Sequence, residues 1–215
     1  PILGDTNKPI LGDTNKPIFD YDYLHHVTKV VTRNLDKIID VNFYPTQKTR
    51  ISNLLHRPIG IGVQGLADAF ILLDVAYHSE EAKEINKLIF ETMYHASLEC
   101  SNEIAMERKN MMNKIHSYHI DYNIFAENNV IQNDYSVCRE YKTNNDITKE
   151  LEFCRPIPPE IKLGNTDYAG AYSSFMGSPI SNGEFQFDMW GVKPSSRYNW
   201  QELREKITKY GMRNS

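Results

Sequence analysis

The strongest constraint in this sequence is an apolar stripe running from Ile85 to Ile104. Ile85, Ile89, Met93, Ala96, Cys100 and Ile104 recur at three- and four-residue intervals, the period of one helix face. Ser79 is placed to cap the N-terminus, and Glu80 and Glu81 suit the positive end of a helix dipole. The spacing therefore predicts a helix from near Ser79 to about Arg108. A helix this long with one apolar face must pack on something. Its mixture of Ala, Met and Cys suits a globular core better than a coiled-coil seam.

Two other segments carry the same period. After Asp20, a capping residue, Leu24, Val27, Val31, Leu35 and Ile38 form a stripe widened by Val30 and Ile39. That helix should end near Asn42, because Pro45 disfavours helix in the residue before it. Near the chain's end, Trp200, Leu203, Ile207 and Tyr210 share a face, and Gly211 follows where a helix-terminating glycine belongs. Between the helices, Gly177-Ser178-Pro179 and Asn182-Gly183 are turn signals. Phe185 to Trp190 alternates apolar and polar residues, which predicts a strand or an extended packed segment.

The organisation along the chain falls into four parts. Residues 1–18 form a lead-in in which PILGDTNK occurs twice, at Pro1–Lys8 and Pro9–Lys16. Two copies are too few for a solenoid, and the composition favours turns, so an exposed, mobile segment is expected. Residues 19–108 hold the first helices. Residues 109–171 lack a clear period and are rich in Asn, so they read as an insertion with short elements of its own, such as Asp146 to Phe153. Residues 172–215 regain order.

Composition excludes some classes. The net charge of -4, without a Lys/Arg stripe, argues against a nucleic-acid-binding surface. No apolar run reaches the roughly 18 residues of a membrane span. The first residue is Pro, which suggests a piece of something longer. Cys100, Cys138 and Cys154 are widely spaced without CxxC, so neither a disulfide framework nor a cysteine zinc site is expected, and a reducing cytoplasm fits. Each reads as a buried apolar residue or a loop thiol. His25 and His26 are adjacent and point in different directions on a helix. A metal shared between them is not expected, and they read as surface or edge histidines.

The stretch RPIGIGVQGLADAF, Arg57 to Phe70, contains GxGxxG at Gly60, Gly62 and Gly65. A dinucleotide fingerprint needs a buried strand before it and a helix after it. Ser52 to Pro58 is too polar and broken for that strand, and the acidic residue expected downstream falls at Glu80–Glu84, in the first turns of a helix. The alternative is packing. If Ile59 to Leu73 is helical, Ile59, Val63, Leu66, Phe70 and Leu73 form a core stripe, and Gly62, Gly65 and Ala69 make a flank where another backbone approaches closely. Glycines inside a helix cost roughly 0.5–1 kcal/mol each relative to Ala, so such contact would compensate them. A turn at Gly60 and Gly62 ahead of the helix is the other possibility.

RPIGIGVQGLADAF also resembles a signature of the large subunit of class I ribonucleotide reductases of the eukaryotic and viral type. His25–Pro45 and Glu84–Ala105 are similar to the family's flanking helices, Ser173–Trp190 to its Gly-Ser-Pro loop, and Trp200–Ser215 to the segment leading into its phosphate-binding strand and loop. The resemblance implies an α/β fold, with this chain a mostly helical fragment of a ten-stranded α/β barrel made of two five-stranded halves. It implies reduction of ribonucleotides to deoxyribonucleotides by a cysteine thiyl radical, for DNA synthesis. The implied partners are a metal-radical small subunit, a second large subunit, nucleotide substrates, ATP and dNTP effectors, and a thioredoxin-type reductant. No nucleic acid or membrane partner is implied.

The family's radical cysteine, its Asn and Glu, and both redox cysteines are expected upstream of Pro1, and the phosphate loop after Ser215. The resemblance therefore assigns no catalytic, cofactor-binding or metal residue to this chain, and an isolated chain is expected to be inactive. The connection of about 60 residues before the Gly-Ser-Pro loop and the doubled octapeptide depart from the family pattern. Two other readings stand beside this one: a non-catalytic helical interaction module derived from the family, and an NAD(P)-dependent oxidoreductase using the GxGxxG.

Overall fold

A computed structural model describes residues 17–129 and 168–215, and within 112–129 the helical backbone alone. Almost all of the repeated lead-in, Cys138, Cys154 and the expected element at Asp146–Phe153 lie outside the described residues. The elements are α1 (Tyr21–Val41), α2 (Gln47–His56), α3 (Leu66–Leu72), α4 (Glu80–Asn129), a 3-10 turn (Pro179–Asn182), α5 (Gln186–Met189) and α6 (Trp200–Tyr210).

The predicted caps hold. The Asp20 carboxylate accepts from the Tyr23 amide at 2.8 Å, and the Ser79 hydroxyl accepts from the Ala82 amide at 3.1 Å. The buried face of α1, however, is rotated from the expected stripe. It consists of Leu24, Thr28, Thr32, Asp36 and Ile39, while Val30 and Ile38 are exposed. The threonines can be buried because their hydroxyls bond backward within the helix, Thr28 to the Leu24 carbonyl at 2.8 Å and Thr32 to the Thr28 carbonyl at 2.9 Å. Asp36 can be buried because Arg57 meets it.

α4 is the axis of the fold. α1 lies along it in parallel register: His25 meets His95, Lys29 meets Glu99 and Glu103, and Arg33 meets Glu107. One apolar cluster joins Phe19, Leu24, Phe70, Leu73, Ile89 and Met93. A second joins Leu98, Tyr172, Phe175, Phe185, Trp200 and Ile207, so α4 contributes to both.

Four findings add to or correct the sequence reading. First, Ser52–Pro58 is no strand, as expected, but its first part belongs to a helix, α2, that no apolar period announces; Thr46 and Thr49 close a reciprocal capping box over its start. Second, α4 does not stop near Arg108 but continues to Asn129, because no Gly or Pro interrupts the chain between Glu80 and Arg155 even after the apolar period lapses. Third, the last residues of the segment read as an insertion pack against α4. Ala171 is buried, and a Cβ on Gly170 would lie 1.8 Å from the Ala105 carbonyl oxygen. Fourth, Phe185–Trp190 is not extended. Gln186–Met189 form a single helical turn, closed by the Asp188 carboxylate accepting from the Phe185 amide at 2.8 Å, and Arg204 pairs with Asp188 at 2.9 Å.

α6 matches its sequence reading, with Trp200, Leu203 and Ile207 buried. Gly211 caps it at φ 77°, ψ -170°. A side chain there would meet Ala171 Cβ at 2.7 Å as well as suffer the positive φ.

Candidate functional site

The residues that begin the RPIGIGVQGLADAF stretch are held by a buried charge cluster. Arg57 caps α2 in the left-handed region, at φ 47° and ψ 51°. Its side chain is only 2% exposed. That backbone turn aims the guanidinium at α1. Nη2 donates to Asp36 Oδ1 at 2.7 Å and to the Asp36 carbonyl at 2.9 Å, and Nε donates to Asp36 Oδ1 at 3.1 Å. Nη1 and Nη2 donate to the two oxygens of Asp40 at 2.7 and 3.1 Å. The i, i+4 spacing of Asp36 and Asp40 puts both carboxylates on one face of α1, so a planar guanidinium can take both.

The chain's last residues join the same cluster. Asn214 Nδ2 donates to Asp36 Oδ1 at 3.0 Å. The Asn214 amide donates to Ser101 Oγ at 2.9 Å, and the Arg213 amide to the Ser101 carbonyl at 3.0 Å. Arg213 Nε lies 3.5 Å from Asp36 Oδ1 without a hydrogen-bond partner among the described residues. Burial pushes the Arg213 pKa down to about 10, reinforced by the charges of Arg57 and Arg108. Burial also opposes the charge on Arg57, but the hydrogen bonds it donates to Asp40 and Asp36 outweigh it and hold its pKa above the ordinary value.

One consequence is a specific backbone pairing. The Ser215 amide donates to the Arg57 carbonyl at 3.2 Å, and the Ile59 amide donates to the Ser215 carbonyl at 3.2 Å. This is the hydrogen-bond pattern of a parallel bridge between Pro58 and Ser215. The cluster thus sets two chain segments side by side in the same direction. With its charges opposed and its polar groups bonded to backbone, it is a positioning device.

The glycines behave differently from the packing expectation. The chain from Ile59 to Gln64 is not helical, and α3 starts only at Leu66. A Cβ on Gly60 or Gly62 would meet no described atom within 4 Å. Close backbone approach is instead found at Gly170. Gly65 is required for another reason: it caps α3 at φ 79°, a left-handed conformation that costs L-residues about 1–2 kcal/mol. In place of the strand that a dinucleotide fingerprint needs, the helix α2 and its Arg57 cap precede Gly60.

Cys100 is buried, and its thiol donates to the Lys29 carbonyl at 3.3 Å. Burial raises its pKa to about 11, so it is an inert packing residue, as the sequence suggests. His26 is exposed, but His25 is not an edge residue: it is half-buried against α4, where His95 stands 3.0 Å away. Sequence reasoning missed Arg57, Asp36, Asn214 and His95. The faint signal was the i, i+4 acidic pair on a helix followed by an Arg placed before Pro.

The described structure can be set beside known proteins. The sequence profile of the family described as "Ribonucleotide reductase, barrel domain" matches residues 8–215. The chain belongs to this ribonucleotide reductase family. It is 41% identical over 197 residues to the ribonucleoside-diphosphate reductase large subunit of Caenorhabditis elegans, covering 92% of this chain and 17% of that protein. Against the large subunit of Plasmodium falciparum it is 40% identical over 198 residues, again 92% of this chain and 17% of that protein. Against that of Variola virus it is 38% identical over 197 residues, 92% of this chain and 18% of that protein. The chain therefore spans less than a fifth of the length of these ribonucleotide reductase relatives.

Proposed function

We propose that this chain is part of the catalytic large subunit of a ribonucleoside-diphosphate reductase, which makes deoxyribonucleotides for DNA synthesis. Its role there is to build outer helices and connections of an α/β barrel rather than to carry catalytic groups. The observation that carries the reading is the identity of about 40% to such subunits over 92% of the chain. The parallel bridge between Pro58 and Ser215 supports it. A barrel of parallel strands needs backbones set side by side in one direction, as the backbones at Pro58 and Ser215 are beside the Arg57 cluster.

In this reading the radical cysteine, the reducing cysteines and the substrate-phosphate loop are supplied by other parts of the large subunit. The thiyl radical takes the ribose 3′-hydrogen, the 2′-hydroxyl gains a proton and leaves as water, a cysteine pair supplies two electrons as it forms a disulfide, and return of the 3′-hydrogen regenerates the radical. The metal-radical small subunit, a second large subunit, nucleotide effectors and a thioredoxin-type reductant are partners of the whole enzyme. The cytoplasm is the compartment such an enzyme needs. Among the described residues, no helix is long and apolar enough to cross a membrane.

The test is a chimera in which this chain replaces the matching segment of the Caenorhabditis elegans large subunit. With a small subunit, ATP and dithiol, the folded chimera should form dCDP from CDP, and the isolated chain should form none. A folded chimera that binds effectors but forms no dCDP would overturn the reading. Saturable NADPH binding by the isolated chain, abolished by Gly62→Val, would favour the oxidoreductase alternative instead.

A further inference from the structure

We propose that His25, His95 and Glu99 form a binding site for a divalent transition-metal ion, zinc(II) by its donor set, that fastens α1 to α4. The site does not depend on the enzymatic reading, and it lies away from the Arg57 cluster.

The argument starts from helix geometry. His95 and Glu99 stand four residues apart on α4, so their side chains share one face. The parallel register of α1 brings His25 to that face. His25 Nε2 lies 3.0 Å from His95 Nδ1 and 3.6 Å from Glu99 Oε2, and the three donor atoms all fall within 4.8 Å of one another. Zinc binds imidazole nitrogen at about 2.0–2.1 Å and carboxylate oxygen at about 2.0–2.2 Å, which places tetrahedral neighbours about 3.3–3.5 Å apart. The His25–His95 and His25–Glu99 separations bracket that value. Opening the histidine pair by a few tenths of an ångström, with rotation of the imidazoles so that both lone pairs converge, gives the spacing an ion requires.

The rings are already oriented. Tyr198 stacks on His95 at 4.3 Å and 17°, and on His25 at 5.6 Å and 24°. Its hydroxyl is anchored to Thr92 at 2.8 Å, and Trp200 lies edge-on against His95 at 5.0 Å. One ring now donates a proton to the other. On binding, that ring carries its proton on its other nitrogen, so both facing nitrogens offer lone pairs.

Lys29 is the competing cation, with Nζ 3.0 Å from Glu99 Oε2. It is also 2.6 Å from Glu103 Oε1, so it keeps an acidic partner when Glu99 turns to the ion. The side chains of His25 and Glu99 are 21% and 32% exposed, which leaves solvent access to a fourth ligand position. Two histidines and one carboxylate with an open position are a donor set typical of zinc.

The test is equilibrium dialysis of the full chain against zinc(II), with cobalt(II) as a spectroscopic probe. Wild type should bind one ion whose loss accompanies His25→Ala or Glu99→Gln. Loss of an outer-shell partner already costs a metal site about 10–100-fold, so each ligand substitution should weaken binding at least tenfold. The exposed neighbour variant His26→Ala should bind normally. Bound cobalt should give the intense visible absorption of four-coordination, and zinc should shift the ¹⁵N resonances of His95 Nδ1 and His25 Nε2. Circular dichroism confirms that each variant is folded. No saturable binding by wild type, or binding unchanged in folded His25→Ala and Glu99→Gln, would leave only a histidine hydrogen bond and overturn the proposal.

Discussion

Arg57→Ala removes the cation at the centre of the charge cluster. The Asp36 side chain is 9% exposed and accepts two hydrogen bonds from Arg57, so it would lose its main partner without gaining water. Breaking a buried pair by deleting one partner costs about 3–5 kcal/mol. Asn214 Nδ2 and the more distant Arg213 Nε remain beside Asp36, which favours the lower end. The expected loss is about 3 kcal/mol, or a Tm drop of about 6–12 °C for a chain of this size.

Backbone strain gives an internal control. Arg57 sits at φ 47°, a conformation that costs a residue with a Cβ about 1–2 kcal/mol and glycine little. Arg57→Gly should therefore be more stable than Arg57→Ala by about 1 kcal/mol, although both lack the charge. The pairing itself is isolated by a cycle with Asp36→Asn, whose double variant should recover part of the loss. Urea unfolding of the full chain followed by circular dichroism measures all four proteins. If Arg57→Ala unfolds within 1 kcal/mol of wild type, or if Arg57→Gly is the less stable variant, the cluster does not hold the signature as described.

Other expectations follow from the same geometry. Burial pulls the Asp40 carboxyl up, but the hydrogen bond and charge of Arg57 outweigh it and hold its pKa below the ordinary 3.8. A depressed folded-state pKa contributes stability that is full above the unfolded value and is lost as pH falls through the folded one, so urea midpoints should fall below about pH 4, and less steeply in Asp40→Asn. Cys100, with its thiol raised to about 11, should resist alkylation at pH 8 in the native chain and react once urea unfolds it, as peptide mass spectrometry reads directly. Gly170→Ala should cost about 1–3 kcal/mol or more, because its Cβ would meet the α4 backbone at 1.8 Å. Gly62→Ala has open space and should be neutral or stabilise by about 0.4–1 kcal/mol in the same urea assay.

Much of the helical framework was legible in the sequence because it is local. Asp20, Ser79 and Gly211 sit at helix ends for reasons of hydrogen bonding and φ that hold before anything packs. The face of α1 was misjudged because apolar periodicity cannot see self-satisfied threonines or an aspartate whose partner comes 21 residues later. α2 escaped notice because its stability signal is a pair of capping threonines rather than an apolar stripe.

The family relationship was also legible, since a long signature survives as residue order alone. What the sequence left open is which side chains meet across the two parallel helices. His25 looked like an edge histidine because its partners, His95 and Glu99, stand 70 and 74 residues away and are brought to it only by the packing of α1 on α4. Likewise, the sequence shows that Gly60, Gly62 and Gly65 are unusual, but only the folded chain separates them. Gly65 answers to a positive φ, while close backbone contact is made at Gly170, because crowding depends on what tertiary structure places nearby.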